Sequence, residues 1–250
     1  MLDIKAIFLA AGRGVRMGER GRMTPKGLIS IGEQTFLEEA VATLVAHGIG
    51  NARAVTGHLA AHYGELAATR CPDLDLRHNP DFEMKGSLQS LLVGLEGEDG
   101  PCLLLESDLI FEPRAVAATI ARPDRSALLV SGATGAGDEV HVWADEADGD
   151  LCLRDMSKRV DRWPDTPHGE LVGLTYLTGD AVRHLKRIGP DLVRNNAMED
   201  YENGLVELAR SHPVTCPKVE DLAWAEVDDE AMLARAAEKV YPRILAARSR

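Results

Sequence analysis

Through its first half the chain alternates short apolar runs with helical patterns, and this restricts the fold more than any other feature. Ala6–Ala11 (AIFLAA), Ala52–Thr56, Leu74–His78 and Cys102–Glu106 (CLLLE) read as strands, the last continuous enough for a sheet centre. Between the first two, Thr35 and Glu38 form a capping box. Phe36, Leu37, Ala40, Val41 and Leu44 follow at helical spacing, and Gly48 is placed to end the helix. His58–Ala68 and Ser87–Leu95 predict two more helices. Strands joined by helices imply parallel pairing through right-handed crossovers, so residues up to about 122 predict a doubly wound α/β unit.

The texture then changes. Ala127–Ser131, Glu139–Asp145, Leu151–Ser157 and Leu171–Thr178 are strand candidates separated by Gly- and Asp-rich turns, which predicts an antiparallel extension or a lid. Helices at Asp180–Ile188 and Met198–Ser211, a strand near Ala223–Val227 and a terminal helix over 229–250 complete the order. No repeat or linker interrupts it. The expectation is one Rossmann-like α/β domain over 1–250, with a mixed, mostly parallel sheet.

Composition narrows the partners. A net charge of −12 argues against a nucleic-acid polyanion, which needs a basic footprint, and an aromatic share of 4% argues against a base-stacking surface. Cys71, Cys102, Cys152 and Cys216 form no CxxC pair, so a zinc site of local spacing and a disulfide framework are both disfavoured. The apolar run at Ala6–Ala11 is too short for a signal peptide core, and no run approaches the ~20 residues of a membrane span. The expected location is the cytoplasm, with no membrane partner. A homodimer is compatible with the sequence.

The most informative string is Leu9 to Lys26, LAAGRGVRMGERGRMTPK. A strand opens into a loop where Gly12 and Gly14 let backbone amides approach an anion, while Arg13 and Arg16 offer forked donors to phosphate oxygens. Beyond the carboxyl end of a strand is also where open α/β sheets bind ligands. Two phosphate motifs are excluded: Gly27 follows Lys26 where Walker A needs Ser or Thr, and Met17 stands at the third glycine of GxGxxG.

LAAGxGxRMG followed by PK resembles the signature of the sugar-nucleotidyltransferase superfamily. Asn79-Pro80-Asp81-Phe82 before Gly86-Ser87-Leu88, Glu106-Ser107-Asp108 and Trp224-Ala225-Glu226-Val227-Asp228 resemble its phosphocholine and 2-aminoethylphosphonate cytidylyltransferase branch. The resemblance implies a Mg²⁺-dependent transfer of CMP from CTP to a small phosphate or phosphonate, with release of pyrophosphate. It also implies a nucleotide-binding part over about 1–122 and an acceptor and lid part over about 123–228. Within the same resemblance Leu9, Ala10, Ala11, Gly12, Arg13, Gly14, Gly86, Ser87 and Ser107 surround the nucleotide. Lys26 and Arg16 act on its phosphates, and Lys158 steadies the α-phosphate or the acceptor, with Arg159 an alternative to Lys158. Asp108 and Asp228 ligate the metal, and Glu226 is a third candidate.

The chemistry agrees independently. Attack of a phosphate or phosphonate oxygen on an α-phosphorus brings two anions together, so charge neutralisation dominates and no side-chain nucleophile is needed. On the acceptor side, Glu199, Tyr201 and Glu202 could hold an ammonium group by ion pairing and cation–π contact, with Trp163, Trp224 and Gly173 nearby candidates. The plain alternative is an amphipathic helix whose acids face water. His58 and His62 stand four apart without the acid of a zinc motif, so an exposed pair is expected. A sugar-phosphate or polyol-phosphate nucleotidyltransferase using another NTP is the alternative function. A nicotinamide oxidoreductase is disfavoured by the failed fingerprint, and a non-catalytic nucleotide sensor by the presence of the lysine and both acids.

Overall fold

A computed structural model describes residues 1–248 and contains one continuous ten-stranded mixed sheet. Lys5–Ala10 lies between Asn51–Thr56 and Cys102–Glu106, with Leu74–His78 on the outer side of Asn51–Thr56, and all these pairings are parallel. Side chains alternate across the central strand. Ala6, Phe8 and Ala10 enter one core with Leu37, Leu44, Tyr63 and Leu66, whereas Ile7 enters another with Leu88, Leu91, Leu185 and Leu205. Helices therefore cover both faces, which explains why these strands read as unbroken apolar runs. The capping box forms: Thr35 N donates to Glu38 Oε2 at 2.9 Å, and Glu38 N donates to Thr35 Oγ1 at 3.3 Å.

The second half extends this sheet edge to edge. Gly169–Leu177 runs antiparallel to Cys102–Glu106 along Leu174–Leu177 and pairs on its other side with Ser126–Ser131. His141–Ala147 and Asp150–Ser157 form an antiparallel pair beyond it. The register of Gly169–Leu177 slips between Leu171 and Thr175, where Gly173 takes a left-handed φ of 82°. A glycine is required there, because a Cβ would lie 2.8 Å from Glu106 Oε2 as well as being strained.

Several element boundaries differ from the sequence reading. The helix expected from His58 begins at Ala60, since Leu59 sits at φ 52° and breaks it, so His58 and His62 do not share a helix face. The helix expected to stop at Ile188 runs from Gly179 to Asn195 through exposed Pro190, because Val193 continues the buried stripe begun by Val182 and Leu185. Met198–Ser211 shortens to Tyr201–Ala209, leaving Glu199 and Asp200 in the approach to the helix. The terminal helix runs unbroken from Glu230 to Arg248, widening to a π-type turn at Ala236–Val240, while 249–250 lie outside the described residues. Short strands escaped the periodicity altogether: Leu109–Phe111, Val214–Thr215 and Lys218–Val219 have too few residues to show a pattern. Among the described residues no helix is long and apolar enough to cross a membrane.

Replacing Gly173 by Ala should destabilise the fold by at least ~1–2 kcal/mol, the cost of a left-handed non-glycine residue. Urea unfolding followed by circular dichroism measures this, and an unchanged midpoint would remove the constraint.

Candidate active site

Two Glu-x-Asp tripeptides form the floor of the site. Glu106 ends the Cys102–Glu106 strand, Asp108 follows in the turn after it, and both side chains line the same cleft. Trp224–Glu226 pairs antiparallel with Leu109–Phe111, matching Glu226 to Leu109, and Val227 N donates to Asp108 O at 3.1 Å. This antiparallel junction brings Glu226 and Asp228 beside Glu106 and Asp108. All four acids line one cleft of about 370 Å³, together with Leu9, Ala11, Gly12, Arg16 and Lys26 from the glycine segment.

Lys26 Nζ donates to Asp108 Oδ2 at 2.5 Å and also to Asp228 Oδ1. Arg16 Nη2 donates to Asp228, while its Nη1 donates to Asp138 Oδ2 at 2.9 Å. Close backbone packing presents these two cations. Gly14 is left-handed at φ 59°, and a Cβ there would press on Lys26 Cγ at 3.3 Å. A Cβ on Gly21 would meet Gly14 O at 2.2 Å, and one on Gly27 would meet the Tyr63 hydroxyl and Ser107 at 3.0–3.1 Å. The Tyr63 hydroxyl and Ser107 both pack closely against Gly27, tying the lysine turn to the Asp108 segment. His58 Nε2 contacts Gly21 O at 3.0 Å, a structural tether rather than half of a metal pair.

The sequence-predicted residues divide by location. Gly86 and Ser87 line the cleft. Gly86 lies so close to Glu199 O that a Cβ would approach it to 2.2 Å, and Ser87 Oγ accepts from Tyr201 N at 2.9 Å. Tyr201 and Glu202 also line it, and Tyr201 donates to Glu106 Oε1. Ala10 and Ser107 are buried behind the wall, and exposed Arg13 is not a lining residue. Glu199 bonds Asn196 at 3.0 Å and Asn203 at 2.5 Å, so its carboxylate is occupied outside the cleft.

A second, smaller cavity of about 50 Å³ meets the cleft at Glu106, Glu202 and Glu226, and Lys158, Glu170 and Trp224 form part of its wall. Arg159 is paired with Asp161 and faces away. Trp163 stacks under Arg154 at 4.6 Å and donates to Asp155 at 2.9 Å, so it takes no part in either cavity. Sequence reasoning passed over Glu106, although it stands in the same Glu106-Ser107-Asp108 string as Asp108. It also passed over Asp138, Glu170 and Tyr63, which carried no local signal.

The electrostatics of the floor are unbalanced. Burial alone would lower the Lys26 pKa, but Asp108 and Asp228 reverse this and hold it raised. Burial likewise opposes charge on Asp228, yet Lys26 and Arg16 bring its pKa below the usual carboxylate value. Glu106 and Glu226 go the other way: burial, and then their acidic neighbours, push both well above the ordinary range. Burial raises Glu202 to about 7. Carboxylate oxygens of Glu106, Asp108 and Glu226 lie within 4.8 Å of one another, a hard oxygen donor set with too little countercharge. That donor set fits a divalent cation, since metal charge relieves the repulsion that drives protonation. Asp228, expected as a ligand, has its oxygens engaged by Lys26 and Arg16 instead.

A strand-end glycine loop, a buried lysine and converging acids thus meet in one cleft. Residues 6–162 match the MobA-like NTP transferase domain, and the chain belongs to that family of nucleotidyltransferases. It is 30% identical over 236 residues to the CMP-5'-(3-aminopropyl)phosphonate synthase of Streptomyces rubellomurinus, covering 91% of this chain but only 37% of that longer protein. It is 28% identical to the 2-aminoethylphosphonate cytidylyltransferase of Lancefieldella rimae, covering 92% of this chain and 90% of the relative. The inositol-1-phosphate CTP transferase of T. maritima shares the fold, with a TM-score of 0.79 at 18% identity, covering 98% of this chain and 96% of that one. The CTP:phosphocholine cytidylyltransferase of Streptococcus pneumoniae does so with a TM-score of 0.75 at 18% identity, covering 95% and 99%.

Replacing Lys26 by Ala should slow nucleotidyl transfer at least tenfold, about 1.4 kcal/mol of transition-state stabilisation. Steady-state pyrophosphate release measures this; an unaltered rate would separate the lysine from the chemistry.

Proposed function

We propose that this chain is a Mg²⁺-dependent cytidylyltransferase that transfers CMP from CTP to a small aminoalkyl phosphonate or phosphate and releases pyrophosphate. The observation carrying this reading is the meeting of two cavities over one acid cluster, with Lys26 and Arg16 on one side and Lys158 on the other. The segment up to about 122 then holds CTP, and 123–228 supplies the acceptor side, with the helix from Asp229 as a brace. The named relatives act on amine-bearing phosphonates, which supports an acceptor of that class. Reaction in the cytoplasm, where CTP is made, follows from the substrate.

The roles follow from placement. Gly12 and Ala11 bring backbone close to the triphosphate, and Arg16 offers a forked donor to its departing pyrophosphate. Lys26 sits at the acid floor, where it neutralises phosphate charge as the α-phosphorus is attacked. Gly86 and Ser87 form the opposite wall, placed for the nucleoside. Lys158 faces the inner cavity, positioned for the acceptor's phosphonate oxygens. Glu202, buried with one oxygen lacking a hydrogen-bond partner, suits an ammonium donor. Asp108 and Glu226, with Asp228 once Lys26 and Arg16 turn to phosphate, would hold the cation, which supplies charge neutralisation at the phosphates.

Pyrophosphate release tests the reading, with each of four NTPs against 2-aminoethylphosphonate, 3-aminopropylphosphonate, phosphocholine and sugar 1-phosphates. Release with CTP and an amine-bearing acceptor is expected; release confined to another NTP with a sugar phosphate would replace the reading. Glu202→Gln should raise acceptor KM while leaving that for CTP largely unchanged. A change confined to CTP would move Glu202 to the nucleotide side.

A further inference from the structure

We propose that Asp138 is a positioning residue acting through Arg16: their ion pair is a latch by which an occupied nucleotide cleft releases the loop walling the inner cavity. The inference rests on the assignment of Arg16 to the triphosphate.

The loop over 131–140 (SGATGAGDEV) is fixed at its root and open at its tip. At the root, Thr134 N and Oγ1 donate to the buried Glu170 carboxylate at 2.7 and 3.0 Å, and Arg235 donates to Thr134 O at 3.1 Å. These bonds hold both polar backbone groups and the side chain of one residue. Beyond it, Gly135 and Gly137 adopt φ values of 66° and 102°, and a Cβ at either would meet nothing within 4 Å. Such a tip moves with little steric resistance. Asp138 binds the tip to the cleft, through its 2.9 Å bond to Arg16. Thr134, Ala136 and Asp138 line the inner cavity, so the position of the tip governs access to it.

The latch can be exchanged because one guanidinium serves two acids, Asp138 and Asp228. The Arg16 side chain is 53% exposed, so its hold on Asp138 is weak. A triphosphate offers several charged oxygens in the forked geometry that arginine prefers, and outcompetes a single carboxylate. Once Arg16 turns to phosphate, Asp138 loses the cation that holds it. Nucleotide binding thus frees the tip and opens the inner cavity. Without nucleotide, the loop keeps the acceptor side closed.

Amide hydrogen exchange on the full chain tests this, with and without saturating CTP and Mg²⁺ and with no acceptor present. The expected result is slowed exchange at 12–16 and 86–87 and faster exchange at 135–138, an opposite sign within one protein. In Asp138→Asn the tip should exchange fast without CTP and change little on adding it. The KM for CTP should also fall roughly two- to fivefold, since Arg16 is no longer shared. A merely structural Asp138 would leave that KM unchanged or raise it. Slowed exchange at 12–16 with an unchanged or slowed tip would overturn the latch but keep the nucleotide site. CTP that slows neither 12–16 nor 86–87 would overturn the site assignment and the latch with it.

Discussion

One ammonium group holds the two halves of the site together. Lys26 lies between Asp108 and Asp228, acids that come from segments 120 residues apart, and its charge is what allows both to be buried. Removing one partner of such a buried arrangement typically costs ~3–5 kcal/mol, because the remaining charge is left in a poorly solvating environment. The fold is correspondingly tight around it. Gly27 packs against Tyr63 and Ser107 beneath the lysine, and Gly14 leaves its stem room. The apolar cluster of Met17, Ile29, Phe36, Val227, Val240 and Ile244 then fixes the loop, the Asp228 segment and the C-terminal helix to one another.

The same arrangement leaves the site short of positive charge. Four carboxylates face Lys26 and Arg16, and burial with acidic neighbours pushes the two glutamates well above the ordinary carboxylate range. A site in this condition is prepared for a metal and poorly prepared for an anion. On the proposed function, a triphosphate arriving with its cation would resolve both problems, and the two cations already present would become free to bind phosphate. Preorganisation here consists of opposite charges kept in contact until substrate replaces one side of each pair.

Much of this was legible along the chain. The strand–helix alternation and the Thr35–Glu38 box are local signals, and both appear as expected. Gly12, Arg16, Lys26, Asp108, Glu226 and Asp228 all line one cleft, and the alternation alone fixes the strands that Gly12 and Asp108 follow. What escaped was non-local. The three-residue Leu109–Phe111 strand has no measurable period, yet its pairing with Trp224–Glu226 is what joins the two acid pairs. Asp138 reaches Arg16 across 122 positions from a loop with no motif. Glu199 failed for a different reason: it lies before its helix, where two asparagines take its carboxylate.

On the proposed function, the paired Glu-x-Asp segments form a divalent-cation site completed by nucleotide. Mn²⁺ binding, followed by electron paramagnetic resonance with a non-hydrolysable CTP analogue, tests it most directly. The account predicts one bound Mn²⁺ per chain in the wild type, and loss of that signal in Asp108→Asn with the fold intact by circular dichroism. Undiminished Mn²⁺ binding in the folded variant would contradict it.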